Sequence, residues 1–597
     1  MTTYRNLTNA EITRLEQLGN FAANWQQVRV ADPFVPECVR NNTFEGEVAI
    51  GSLTIARTAD GDLELPEGVY NSLLRNVTLG NHPTVHNVRH LSGYTIGHNV
   101  LLFNIGEMTA AADPHAVAWL EPMNENGGRR ILPFGEMTVG DAYLWARYRG
   151  RTRFVERLEQ FTFDLLSSPQ GRYGRVGDCC TIKNTATLRN VIVRSDATDP
   201  TRIDTCLALT DGVVGLGCRL EFGVVASRFL LGEHVHLEFG LRLNDTVVGD
   251  NSTLARCEVG NSIIFPAHEQ HHNNSFLIAA LVMGQSNVAA GGTIGSNHNS
   301  RTADGEISAG RGFWPGLCCS FKHSSRFASY CLLAKADYPA ELDIRLPFAL
   351  VNNNTALDRL EVMPAYWWLY NMYAMDRNSR KFAQRDKRVH KAQHIEFDNL
   401  APDTAEEILA AIDLLHSWDK GESEVVAHGM EKSHRPTIIL KAREGLKAYA
   451  DMLLYYAMKT LVSAHDGQLP PAALGAQPRV TEWVNIGGQI VPKADIDQLI
   501  ADVESGTIGS WEGVNARLDA LWAAYPAQRA AHAYAIACRL EGVQTIDEAR
   551  WQTLLDRYAD LQAYVAAQVK LTRSKDDANP YRAMTYFDAE ERAAVMA

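Results

Sequence analysis

From Val213 onward, aliphatic residues recur at steps of six or five: Val214, Leu220, Val225, Leu231, Leu237, Leu243 and Val248. An α-helix repeats its apolar face about every 3.6 residues and a half-buried strand about every second residue, so neither gives this spacing. Three short strands per coil, each sending one aliphatic side chain inward, do give it. The unit VVGLGCRLEFGVVASRF at Val213 is followed by LLGEHVHLEFGLRLNDT at Leu230 and VVGDNSTLARCEVGNSI at Val247, so that Gly215, Gly232 and Gly249 fall 17 residues apart. Gly80 and Gly97 keep the same step. The pattern predicts a parallel β-helix with Val214, Leu220, Leu231, Leu237, Val248 and Leu254 inside. Gly-Asx pairs (Gly80-Asn81, Gly177-Asp178, Gly249-Asp250, Gly260-Asn261) turn its corners through positive φ. Outward positions stack too: Glu221 with Glu238 and Arg219 with His236, which puts Arg219 in place to neutralise the carboxylates.

The same reading divides the chain. Residues 1–70 form an N-terminal helix and cap, opened by a Thr8–Glu11 capping box ahead of Ile12, Leu15 and Leu18. Residues 71–107 hold the first coils. Residues 108–172 interrupt the repeat with an NGGRR hairpin signal and a helix from Asp141 to about Leu166. The main β-helix occupies 173–355, an aromatic and then basic connecting segment 356–401, and an α-helical domain 402–597. That domain carries capping boxes TAEE (404–407) and TIDE (545–548) and an amphipathic run over 439–462. The expected fold class is a mainly β solenoid with an α-helical C-terminal domain and a mixed N-terminal cap and insertion; the helical domain is placed to close the solenoid's open end. In the connecting segment, Tyr366, Trp367, Trp368, Tyr370 and Tyr373 pack on the solenoid edge or stack a ring. The basic run Arg377, Arg380, Lys381, Arg385, Lys387, Arg388 and Lys391 is a solvated helix face or a grip on a phosphorylated partner.

Composition narrows the function. A net charge of −13, with 46% hydrophobic and 21% charged residues, suits a soluble globular protein and argues against general nucleic-acid binding. The N-terminus has no signal-peptide pattern, and no stretch reaches the roughly 18 uncharged apolar residues of a membrane helix. A cytoplasmic location is expected. The 10 cysteines include no CxxC and read as buried thiols.

Segment 267–306, AHEQHHNNSFLIAALVMGQSNVAAGGTIGSNHNSRTADGE, holds His268, His271, His272 and His298 and places polar residues where a regular coil needs only aliphatics and corner glycines. A neutral imidazole there can take a proton from an attacking hydroxyl or amine.

The hexapeptide steps and Gly-Asx corners over 74–105 and 173–355 resemble the left-handed β-helix, or hexapeptide-repeat, superfamily. The resemblance implies a left-handed coil, trimers with sites between neighbouring solenoids, and acyl transfer from coenzyme A or acyl carrier protein. Through HHNNSFLIAALVMGQSN, GSNHNSR, GRGFWPG, MPAYWW and TEWVNIGGQ, nearly the whole chain is similar to an uncharacterised bacterial family of hexapeptide-repeat proteins described as a domain of unknown function. In the acetyltransferase branch, a histidine in a loop shortly after an inward isoleucine is the general base, and here His298 follows Ile294 by four residues. The expectation is an acyltransferase with His298 as base, a coenzyme A thioester as donor and a sugar-like small molecule as acceptor. Asn297, Arg301, His271, His272 and His323 would bind the substrate, in a homotrimer. Three alternatives stand beside it. His271, His272, His298 and His323 could hold zinc, as in the gamma-class carbonic anhydrases. The chain could be a sugar-nucleotide-related transferase, although residues 1–70 lack the glycine-rich loop. It could also be a non-catalytic scaffold.

Overall fold

The computed structural model describes residues 2–169, 171–295, 305–421, 424–476, 478–575 and 579–596. Its centre is a parallel β-solenoid whose ladders run in register from coil to coil. Leu220 pairs with Leu237 and Leu237 with Leu254 on the first face. The longer strands, such as Val225–Leu231 and Arg242–Val248, bend midway and supply the second and third faces. Val214, Leu220, Leu231, Leu237, Val248 and Leu254 all lie inside and are buried, as the spacing requires.

The corners work differently from expectation. Gly80, Gly177 and Gly249 are not at positive φ; the left-handed residues lie two positions on, at His82, Cys179 and Asn251. These glycines are needed because coils stack tightly: a Cβ on Gly80 would lie 2.6 Å from the backbone of Gly97. Asn261 does take φ 40°. The charge ladder differs as well. Glu221 and Glu238 do pair in register, as do Arg219 and His236, but the cation on Glu221 is Arg202, at 3.0 Å, from the preceding coil.

Solenoid strands begin within the N-terminal segment: Thr43–Ile50 pairs in parallel with Leu73–Leu79. Helix α1 (Asn9–Gln17) carries the Thr8–Glu11 capping box in both directions. The insertion leaves after strand Leu101–Thr109 and returns at Arg175–Val176. Its hairpin signal is a single antiparallel bridge, Leu120 to Ile131. Its helix is two, α2 (Val139–Arg147) and α3 (Thr152–Leu166), separated by a turn at Tyr148–Arg151.

The solenoid ends in an antiparallel pairing of Leu350–Asn354 with Arg359–Met363. Helices α4 (Tyr366–Tyr370) and α5 (Met372–Arg385) follow. Trp367 is buried there, packs against Trp314 and donates its indole N–H to the Tyr330 carbonyl at 2.7 Å, so it sits on the solenoid end, while Trp368 packs against Tyr455 and Tyr564 of the C-terminal helices. Most of the basic run faces solvent, with Arg377, Arg380, Arg385, Lys387 and Lys391 exposed, and part of it turns inward. Lys381 and Arg385 bind Glu269, and Arg388, 4% exposed, binds Asp250 and Asp386.

Next come α6 (Pro402–Trp418), α7 (Ala442–Ala464), α8 (Lys493–Ser505), α9 (Trp511–Glu541) and α10 (Glu548–Ser574). Two of the expected caps shift. Pro402 begins α6, so Thr404 lies inside the first turn, and Asp547, not Thr545, caps α10. Residues 437–439 are a strand that joins the solenoid-end sheet, and α7 starts only at Ala442.

From Ile192 to Val282 the third face is apolar on both sides. Leu231, Val248 and Ile264 face the interior, while their neighbours Leu230, Val247 and Ile263 face outward and are equally buried. This outer surface packs with the insertion, including Leu144 and Trp145, and with Ile496 and Trp511 of α8 and α9, as a second hydrophobic core.

Candidate functional site

With the third face covered, the second face presents the exposed polar and aromatic groups. At the corner leading into it, successive coils place one left-handed residue above another: Asn41, Asn71, Asn87, Asn104 and Asn184, then Thr205, Phe222, Phe239 and Arg256. Asparagine suits this backbone and ladders its amides, with Asn41 donating to Asn71 at 3.2 Å and Asn71 to Asn87 at 3.1 Å. Phenylalanine does not suit it, yet Phe222 and Phe239 hold φ 59° and 55° and remain 51% and 43% exposed. Their rings stack at 5.1 Å, and the Arg256 guanidinium caps Phe239 at 4.5 Å. Local strain carrying exposed aromatic surface points to a binding role.

Beyond this stack a groove of about 630 Å³ runs past Arg242, Arg256, Glu258, Asn273, Asn274 and Phe276. Neither arginine has a carboxylate at ion-pair distance among the described residues. Phe276 ends the groove, and a Cβ on Gly295 would lie 2.6 Å from its ring. Gly295 and Gly305 flank residues 296–304, so the predicted base His298 and its companions Asn297 and Arg301 lie outside the described residues. Just after this segment, Glu306 is clamped by Arg129 at 2.7 and 3.1 Å. Arg129 comes from the NGGRR motif of the insertion, which gives that motif a task its sequence alone did not reveal.

The other predicted residues divide. His271 and His272 adjoin the groove, with rings 4.4 Å apart and His271 Nδ1 3.5 Å from Glu269. Burial, helped by the nearby cations, holds the His271 imidazole below its ordinary pKa and favours the neutral form. His323 is buried; its Nε2 donates to the Ile278 carbonyl at 3.0 Å, and its Nδ1 has no partner among the described residues. Among the described residues no three His, Cys, Asp or Glu side chains gather as metal ligands.

His268 belongs to the interior. Its Nδ1 meets Ser286 Oγ at 2.8 Å and its Nε2 meets Gln270 Oε1 at 3.2 Å; Gln270 then donates to Ser275, whose hydroxyl donates to the His272 carbonyl. Much of the polarity in 267–286 is therefore a satisfied buried network. Sequence reasoning missed the Phe222–Phe239–Arg256 stack, although phenylalanine at the same position of two successive 17-residue units was there to be seen.

Fold and groove together define a parallel β-solenoid protein with one face sealed by its own insertion and C-terminal helices and another left open beside an aromatic stack. The chain belongs to the family described as domain of unknown function DUF4954, whose model matches residues 4–419; residues 473–560 match a second one, domain of unknown function DUF6819. An uncharacterized protein of Treponema pallidum (strain Nichols) is 41% identical over 656 residues, spanning 99% of this chain and 90% of that protein.

Proposed function

We propose that the protein is a hexapeptide-repeat-type acyltransferase that lays a coenzyme A thioester along the second face. One observation carries this reading: an exposed phenylalanine stack, strained at a corner built for asparagine, stands at the mouth of a groove with two arginines that have no ion pair among the described residues. An adenine ring is matched by the stack and phosphates by the guanidiniums. The groove's far end, at Phe276, adjoins the residue from which the His298 segment departs. There His298 removes the proton from a hydroxyl or amine of a sugar-like acceptor. The acceptor attacks the thioester carbonyl, and the C–S bond breaks to release the thiolate, which takes up the proton. The working unit is a homotrimer in the cytoplasm, with a neighbouring solenoid supplying the groove's missing wall. No helix among the described residues is long and apolar enough to cross a membrane.

Calorimetric titration with coenzyme A and acetyl-coenzyme A tests the donor site. Phe239→Ala and Arg256→Gln are expected to weaken binding about tenfold each. His298→Ala is expected to keep binding and lower turnover by about 10²–10⁴. Absence of any coenzyme A binding by the wild-type protein would sink the proposal.

A further inference from the structure

Far from the groove, a different column of residues follows the third face at the next corner. It is glycine in coil after coil, at Gly80, Gly97, Gly177, Gly215, Gly232 and Gly249. Contact explains the run: a Cβ on Gly177 would lie 2.2 Å from the Ser195 carbonyl oxygen, and one on Gly215 would lie 2.1 Å from that of Gly232. Arg194 interrupts it. Its N–H bonds to the Val214 carbonyl in the same ladder in which Gly177 N–H bonds to Val193. The coil accommodates a side chain here because Val193 pairs with Val214, 21 residues on, where Leu231 pairs with Val248, 17 residues on. The extra residues bulge out at 195–200.

The bulge is tied down. Asp196 Oδ1 accepts the Thr198 and Asp199 N–H groups and the Thr198 hydroxyl, and its Oδ2 meets His390 Nε2 at 2.8 Å. Asp199 holds His234 at 3.0 Å and accepts the Val389 N–H at 3.1 Å. A cavity of about 220 Å³ remains between bulge and solenoid, lined by Arg175, Arg194, Ser195, Asp196 and His390, with exposed Glu136 at its rim. Neither Arg175 nor Arg194 has a carboxylate at ion-pair distance among the described residues. One coil on from Leu216, another wall residue, Glu233 is 3% exposed with both side-chain oxygens lacking a hydrogen-bond partner among the described residues. Burial first, and Asp250 beside it, raise its carboxyl above the ordinary carboxylate range, while Arg194, Arg388 and His390 oppose the shift. In its neutral form that group is a proton donor without an acceptor. The two arginines are thus the cavity's spare donors, while the Asp196 oxygens are already engaged.

We propose that this cavity binds a small phosphate-like oxyanion through the guanidinium groups of Arg175 and Arg194. Two forks of N–H groups with no ion pair among the described residues, set around a niche of this size, match a tetrahedral oxyanion. The column itself supplies the decisive variant. Arg194→Gly restores the residue found in the same position of neighbouring coils, so it removes the ligand group without asking the coil for a new shape. Calorimetric titration of the full-length protein with inorganic phosphate is expected to show saturable binding. Arg194→Gly and, separately, Arg175→Gln are expected to weaken it by at least about tenfold. Arg189→Gln, an exposed change on the second face, is expected to leave it unchanged. If Arg194→Gly does not fold, judged by its melting curve, Arg175→Gln decides. No saturable phosphate binding, or binding that survives Arg175→Gln, overturns the proposal. Binding of malonate with none of phosphate overturns the phosphoryl assignment.

Discussion

A histidine sealed inside an aliphatic solenoid pays for its place through protonation. His268 is fully buried between Ser286 and Gln270, and desolvation pushes its pKa from 6.5 down to about 4. Accepting from Ser286 and donating to Gln270, the neutral ring satisfies both partners; a charged ring would lose one bond and add an uncompensated charge. Because the folded-state value lies below the unfolded one, the stabilisation is complete above about pH 6.5 and is lost as the pH falls toward 4. The linked change is about 3 kcal/mol. Urea midpoints measured from pH 7 to pH 4 are expected to fall across that window, and His268→Gln is expected to flatten this part of the dependence. An unchanged slope in the variant would assign the pH effect elsewhere. His271, partly exposed beside the groove, is also held below its ordinary value, which keeps a neutral imidazole available near pH 7.

Among the elements, the corners bear the conformational strain. Each coil turns through left-handed residues, and asparagine relieves the cost with a side-chain ladder such as Asn104 donating to Asn184 at 3.0 Å. Asn184, at φ 52°, separates backbone from side-chain effects. Asn184→Gly keeps the backbone accessible and loses only the side-chain bonds to Asn104 and Asp204. Asn184→Val adds a β-branched side chain where left-handed backbone costs an L-residue about 1–2 kcal/mol. Chemical denaturation is expected to rank valine well below glycine, and equal stabilities would remove strain as the reason for the asparagine column. Phe222 and Phe239 bear the same backbone cost without an amide ladder, which is why their stack reads as function.

For the whole molecule, the decisive feature is that from Ile192 to Val282 the third face has no outside. Adjacent aliphatic pairs, Val213-Val214, Leu230-Leu231, Val247-Val248 and Ile263-Ile264, send one side chain to each of two cores. Val247→Asp, at a position that period-two alternation would place in solvent, is expected to destabilise by more than about 3 kcal/mol, comparably to Leu237→Asp in the interior. A near-neutral Val247→Asp in a urea titration would mean that the insertion and helices do not hold that face in solution. The covered face also constrains assembly, since only the other two remain for neighbouring solenoids. Light scattering at micromolar concentration is expected to give three times 66.1 kDa. A 66.1 kDa species would leave the groove with one wall and count against a shared site.

The sequence by itself determined the coil. A 17-residue repeat with an aliphatic every five or six residues admits few shapes, because every inward side chain must meet its counterpart one coil above, and the inside residues were therefore legible. Helices with strong local signals, such as α1 with its Thr8–Glu11 box, were legible too. Tertiary structure decided whatever depends on partners distant in the chain. The corner glycines are set by the approach of the next coil, as at Gly80 and Gly97, and not by their own φ. Arg388 lies buried because Asp250, 138 residues earlier, receives it. Arg202, not Arg219, meets Glu221 across the coils, while it also holds Asp204 on its own strand and Asp60. Polarity in 267–286 looked like chemistry because a sequence shows that a residue is polar but not whether its partners are already in place; inside the solenoid, around His268, they are.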